Sequence, residues 1–257
     1  KILEKALDLK GRIVLGNDMW AAASDIIARG PSRKPPFKVD NFIVITVSTG
    51  VGSKVVVNGQ VQLGVAGLAG EIGHMPVLWP DEIIPGRRCG CGGLYCLEAG
   101  ASGTANAYRA KAEADRLLPL VSASPSSALI KKVASVSLMP GDDLDDRERQ
   151  VNVAVCRAAR RGDPLALSIL RSTIKPLARA VASLESQLNI KSFYFVGGFA
   201  LALGDLLLDI LREHLLEVGI IGRAPRDLLA IGRLYNVEGQ DWGLRGAALA
   251  ADRAFPD

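Results

Sequence analysis

Four residues have the types and spacing to hold a metal ion. Cys89 and Cys91 are two apart, Cys96 follows five residues later, and His74 lies upstream in the same stretch, AGEIGHMPVLWPDEIIPGRRCGCGGLYCLE, residues 69–98. Three of the chain's four cysteines and one of its two histidines fall there. Glycines at 90, 92 and 93 let the backbone fold tightly enough for the three sulfurs to converge. Three thiolates and an imidazole make a closed tetrahedral set, the pattern of a structural zinc site; a catalytic zinc would keep an open position, and four protein ligands leave none. Such a site would pin the proline-broken loop 75–95, long for a structureless connection, back onto the segment that carries Glu71. The alternatives are unrelated core cysteines or a disulfide, but Cys89 and Cys91 stand too close to bridge comfortably. The absence of a His-x-x-x-His half speaks against a nucleic-acid zinc finger.

Three further stretches carry candidate chemistry. Gly16-Asn17-Asp18 lies between the apolar run Ile13-Val14-Leu15 and a helical pattern, so the pair sits at a strand end and a helix start. One of the two could simply be an N-cap. Alternatively, Asn17 caps or contacts a ligand while Asp18 points into a cleft, since open α/β sheets bind ligands at the carboxyl ends of their strands. Thr49-Gly50-Val51-Gly52-Ser53 reads as a turn between the strands Phe42–Ser48 and Lys54–Val57. It is either a plain hairpin or a cradle whose backbone N–H groups approach phosphate oxygens, with the Thr49 hydroxyl as a further donor. Val196-Gly197-Gly198 closes the apolar strand 193–196 and is either a tight strand-to-helix turn or the seat of a nucleoside.

Together these stretches resemble the ROK family of bacterial sugar kinases and sugar-responsive repressors. AGEIGH followed by CGCGGLYCLE is similar to the family's zinc signature. Asn17-Asp18 is similar to its Asn-Asp motif, Thr49–Gly52 to its phosphate-binding turn, and Val196–Gly198 to its nucleotide-binding glycines. The resemblance spans the chain from about Val14 to the C-terminal helix. It implies an α/β actin-like ATPase (ribonuclease H-like) fold of two lobes, with a zinc-stapled loop. It also implies ATP-dependent phosphorylation of a hexose, amino sugar or related cyclitol. Asp18 would be the general base, and Asn17, Glu71, His74 and Glu98 would contact the sugar. Thr49, Gly50, Gly52, Gly197 and Gly198 would bind ATP with magnesium, and His74, Cys89, Cys91 and Cys96 would bind zinc. Carboxylates suit vicinal hydroxyls as acceptors, and a zinc-bound His74 would keep its other ring nitrogen for a hydroxyl. Two positions depart from the pattern. Lys54 replaces the third glycine of the turn, where it would face solvent or alter the phosphate environment, and Tyr95 replaces the glycine before the last cysteine. Kinases of the family also open with a glycine-rich Asp-x-Gly-x-Thr hairpin, which does not occur in this sequence. The expectation is therefore a fragment, a proteolysed product or a chain completed by another polypeptide. The alternatives in function are the sugar-sensing half of a ROK repressor and a catalytically inactive partner.

The elements that must position these residues follow from patterning. The chain has 257 residues with 49% hydrophobic and 23% charged, enough for a real core. A net charge of +4, spread along the sequence, gives no reason to propose nucleic-acid or membrane binding. No apolar run is long enough to span a bilayer, and thiolate ligands suit a reducing, cytoplasmic compartment. Residues 1–9 read as a helix, Phe42–Ser48 as the strongest buried strand, and Asn58-Gly59 as a hairpin turn. Ser102 should cap a helix ending near Leu118, and Asp163-Pro164 should open a long helix to about Asn189. A helix is expected over 201–217 and a buried one over Gly243–Ala254. Residues 119–150 read as solvated loops around one short helix, with no chemistry assigned. His214 and Cys156 read as packing or surface residues. The expected division is 1–35 as the remainder of an N-terminal lobe, 36–240 as a large sugar and zinc lobe, and 241–257 as a returning helix. A homo-oligomer is expected from the resemblance.

Overall fold

In the computed structural model, the residues described are 16–29, 40–77, 87–123, 125–138, 144–220 and 232–234, with short pieces at 223–224, 227 and 247–249. The expected strand at 13–15, the helix over 1–9, the loop residues 78–86 and most of the final helix lie outside them.

Among the described residues, a mixed five-stranded sheet organises the chain. Its strands are β1 (Phe42–Val47), β2 (Val51–Val57), β3 (Gln60–Val61), β4 (Phe193–Val196) and β5 (Arg233–Leu234), in the order β3-β2-β1-β4-β5. The first three form an antiparallel meander, and β4 and β5 add in parallel beside β1. β1 is central, and its near-continuous run FIVITV suits a strand covered on both faces. Alternation then divides the core. Phe42 and Val44 point to one face with Val56, Tyr194 and Val196, under α1 (Asp18–Arg29). Ile43, Ile45 and Val47 point to the other, into the larger core. Phe42 and Tyr194 meet edge to face with centroids 5.4 Å apart, a favoured aromatic geometry.

The larger core is built by α2 (Leu97–Ala101), α3 (Gly103–Leu117), α4 (Ser127–Ala134), α5 (Leu144–Ala159), α6 (Pro164–Leu188), α7 (Gly198–Leu203) and α8 (Asp205–Val218). The expected caps are in place. The Ser102 hydroxyl accepts the Ala105 amide at 3.1 Å and the Asp163 carboxylate accepts the Ala166 amide at 3.0 Å. Asn189, in the left-handed region with φ 53°, ends α6.

Several expectations are corrected. β2 begins at Val51, not Lys54, so the turn shortens to Ser48–Gly50 and Gly52 pairs with Thr46 inside the ladder. The single helix over 201–217 is two helices, broken at Gly204 with φ 63°. Residues 119–150 hold α4 and the start of the 16-residue α5 as well as loop. Cys156 is buried in α5, and desolvation pushes its thiol up to about 11. His214 is also buried, its Nε2 3.0 Å from the Arg171 carbonyl.

A polar network crosses the helical core. Arg109 of α3 is fully buried and donates to the Thr173 hydroxyl at 2.6 Å and to the Gly100 carbonyl. Thr173 lies within reach of Asn106 Oδ1 at 3.0 Å, and Asn106 donates to Asn152 at 2.8 Å. Removing the hub should orphan buried donors, which costs about 1–3 kcal/mol. Thr173→Val is therefore expected to lower unfolding stability by about that amount, read as a reduced denaturant midpoint at unchanged slope.

Candidate functional site

The metal-ligand set forms where two short pieces of irregular chain meet. His74 ends a single 3-10 turn, Ile72–His74, while Cys89, Cys91 and Cys96 sit on the knuckle that leads into α2. Isolated bridges Pro76↔Cys96 and Arg88↔Leu94 tie the pieces together. All four ligand atoms lie within 4.8 Å of one another. His74 Nδ1 stands 3.5 Å from Cys89 Sγ, and Cys91 Sγ 3.6 Å from Cys96 Sγ. A tetrahedron with metal–sulfur bonds of about 2.3 Å has sulfur–sulfur edges of about 3.8 Å, so the donor set and its spacing fit zinc. All four cysteines are free thiols, which removes the disulfide alternative. Gly93 is needed here, since a Cβ would stand 2.9 Å from Cys96 Sγ and 3.3 Å from Cys91 Sγ. Tyr95 adopts φ 61°, the left-handed conformation that costs a residue with a side chain roughly 1–2 kcal/mol and explains why glycine suits that position.

Burial pushes the Cys96 thiol up to about 12 and raises Cys89 too. The backbone hydrogen bond at Gly93 lowers exposed Cys91. A divalent cation would have to displace protons from this cluster, which couples binding to proton release.

The sugar-contact candidates converge on the same place. Glu71 precedes the 3-10 turn, and its Oε1 accepts Lys54 Nζ at 2.9 Å and Asn17 Nδ2 at 3.3 Å. Asn17 also caps α1, its Oδ1 accepting the Trp20 amide at 2.9 Å, so the capping reading and the site reading both hold for this residue. Asp18 is the first residue of α1 and is exposed, with Oδ1 accepting its neighbour's amide from Met19 at 2.9 Å. His74 turns Nδ1 toward the sulfurs, which leaves Nε2 outward. Glu98, in the first turn of α2, bonds the Val51 amide through Oε2 at 3.0 Å and meets Cys89 Sγ through Oε1 at 3.5 Å. Gly50 is where that carboxylate rests; a Cβ there would collide with Glu98. Lys54 corrects both expectations for it. It faces neither solvent nor the turn, but is buried and paired with Glu71.

The nucleotide candidates separate into two groups. Thr49 and Gly198 line a cavity of about 430 Å³ with Phe199, Glu148, Arg149 and Asn152. Gly50 backs onto Glu98, Gly52 lies in β2 against Met19 and Thr46, and Gly197 packs where a Cβ would collide with the Val47 carbonyl and Thr46 hydroxyl. The Ser48–Gly50 turn is thus a wall shared by the cavity and the Glu98 contact. Asp145, Glu148, Arg149 and Asn152 escaped the sequence reading. Their signal was the pair Val151 and Val155, four apart and buried, which marks α5 as an amphipathic helix and not a wet loop.

The ROK family model matches residues 12–254. The chain is 36% identical over 223 residues to C(7)-cyclitol 7-kinase of Streptomyces hygroscopicus subsp. limoneus, a match covering 86% of this chain and 57% of that protein. It is 33% identical over 218 residues to a glucokinase of Streptomyces coelicolor, covering 84% of this chain and 61% of that one. It therefore spans a little over half the length of these curated relatives. A ROK family glucokinase from Streptomyces griseus, solved in complex with glucose and AMPPNP, superposes with a TM-score of 0.68 at 27% identity, over 93% of this chain and 68% of that one. The mixed sheet, its flanking helices and the Cys/His cluster agree with these matches: the fold is that of the actin-like ATPases, and the chain belongs to the ROK family.

Proposed function

We propose that this chain supplies the acceptor site, and part of the nucleotide site, of an ATP-dependent kinase acting on a hydroxyl of a hexose, amino sugar or related cyclitol. The observation that supports the reading is the Asn17–Glu71 hydrogen bond, which links the residue before the exposed Asp18 to a carboxylate able to grip a polyol. In this reading residues 36–240 form the main sugar and metal lobe, 1–35 belong to an N-terminal lobe and its junction, and 241–257 return toward that lobe.

The roles follow from the groups. Glu71, His74 Nε2 and Asn17 hydrogen-bond hydroxyls and orient the acceptor; Glu98 joins them through the acceptor lone pairs that its bond to the Val51 amide leaves over. Asp18 takes the proton from the reacting hydroxyl. The oxygen then bonds the terminal phosphorus of ATP, the bond to the bridging oxygen breaks, and ADP leaves. Magnesium on the phosphates supplies charge neutralisation. Phosphoryl transfer depends mainly on such positioning and charge compensation. The cavity beside Thr49 and Gly198 seats the nucleoside; its volume lies within the ~300–1,000 Å³ of small-ligand pockets. His74, Cys89, Cys91 and Cys96 hold one structural zinc ion that shapes the sugar side.

Three outcomes test this. An ATP-to-ADP coupled assay on the full-length protein, with glucose, N-acetylmannosamine, N-acetylglucosamine and a C7 cyclitol, should find turnover. Asp18→Asn should reduce that turnover by at least 10²-fold, the lower range for a general base, while sugar affinity persists. Sugar binding with no turnover on any acceptor would turn the reading to a sensor or an inactive partner. Gly198→Leu, which projects a side chain into open space, should raise KM for ATP about tenfold, ~1.4 kcal/mol of lost binding, and leave sugar affinity unchanged. Metal analysis should find one zinc per chain, lost in Cys91→Ala. Because such sites contribute of the order of 10 kcal/mol of binding, chelation should lower Tm and weaken sugar binding together.

A further inference from the structure

Lys54 is an unusual residue for the middle of a sheet. It stands in β2 opposite Val44, on the face that packs beneath α1, and its side chain is 1% exposed. Burying an ammonium is costly unless it is paired and hydrogen-bonded. Lys54 meets that demand with two acceptors, the Ala69 carbonyl at 2.8 Å and Glu71 Oε1 at 2.9 Å.

The arrangement does more to Glu71 than to Lys54. Oε1 receives two donors from different elements, Lys54 Nζ of β2 and Asn17 Nδ2 at the start of α1. Two directional bonds to one oxygen fix the rotation of the carboxylate. Among the described residues Oε2 has no hydrogen-bond partner, and the side chain is 34% exposed, so the remaining acceptor faces outward. A long flexible lysine chain would ordinarily lose entropy on being held like this, but here packing has already immobilised its stem.

We propose that Lys54 is a positioning residue for substrate recognition. It acts through Glu71, presenting Oε2 in one orientation to a single hydroxyl of the polyol acceptor. This rests on the reading of Glu71 as a sugar contact. The rival role for Lys54 is purely structural: through Ala69 it would anchor the loop 62–70, which Ser53 already ties to β2 by its 2.6 Å hydrogen bond to the Gly70 carbonyl.

A double-mutant cycle separates the two roles, because residues acting through one another give non-additive losses. Calorimetry on the full-length protein uses glucose, N-acetylmannosamine, N-acetylglucosamine and a C7 cyclitol, and follows the tightest binder. Lys54→Met and Glu71→Gln should each weaken binding about tenfold. The double variant should be no weaker than Glu71→Gln alone, and Lys54→Arg should recover affinity to within about threefold of wild type. In turnover the loss should fall on KM with kcat changed less than threefold. Lys54→Gln, which keeps a donor for Ala69 without the charge, replaces Lys54→Met in the cycle if thermal unfolding shows the latter is not folded. Multiplying losses in the double variant, or full affinity in Lys54→Met or its replacement, would overturn the proposal while leaving Glu71 as a sugar contact. Unchanged affinity in Glu71→Gln, or no binding of any probe by wild type, removes the sugar reading itself and the proposal with it.

Discussion

The Glu98 carboxylate is the joint on which the site depends. One oxygen holds the Val51 amide at the first residue of β2, the other meets the Cys89 sulfur, and Gly50 has no side chain because the carboxylate lies there. A single side chain thus ties the first turn of α2 to the turn that lines the cavity of about 430 Å³, and reaches the ligand knuckle through the Cys89 thiol while it keeps its proton. A carboxylate can do this because it accepts several hydrogen bonds at once and stays planar. With the 3-10 turn seated so closely on β2 that a Cβ at Gly73 would collide with the Val51 carbonyl, the metal cluster is locked to the sheet. Whatever shifts the cysteines is felt at the β1–β2 turn.

Charge is handled differently on the two faces of the sheet. Beneath α1 a lysine is buried and made useful by a carboxylate at the rim of the site. In the helical core Arg109 is buried between the Gly100 carbonyl and the Thr173 hydroxyl, which leads on through Asn106 to Asn152 at the cavity wall. Buried cations of this kind add little net stability when fully satisfied, and removing one partner is strongly destabilising. Their consequence is therefore geometric: each leaves only one arrangement of its neighbours that satisfies every donor.

Legibility in the sequence tracked how local the physics was. The four candidate metal ligands were readable because thiolate and imidazole chemistry at that spacing has few other uses, and the chain brings their donor atoms within 4.8 Å of one another. The caps at Ser102 and Asp163 and the strand Phe42–Val47 were readable because they depend on adjacent residues. The extent of the β1–β2 turn was not: glycines at 50 and 52 look alike in sequence, but one rests on a side chain 48 residues away and the other pairs across a strand. The helix α5 was passed over because its acidic opening resembles a solvated loop, and its apolar pair matters only once it has α3 and α6 to pack on.

Composition, hydrophobic period and the Cys/His spacing were enough for a globular chain with a candidate four-ligand metal set, since each arises from short-range preferences written along the backbone; the family and its α/β fold came from the resemblance of its motifs. Where Lys54 points, what Glu98 touches, and which residues of α5 wall the cavity were decided by tertiary structure alone. The pairs Lys54–Glu71, Val51–Glu98 and Asn17–Glu71 join positions 17, 47 and 54 residues apart, and a pairing at that range is settled by which buried polar groups find partners when the sheet and its helices close.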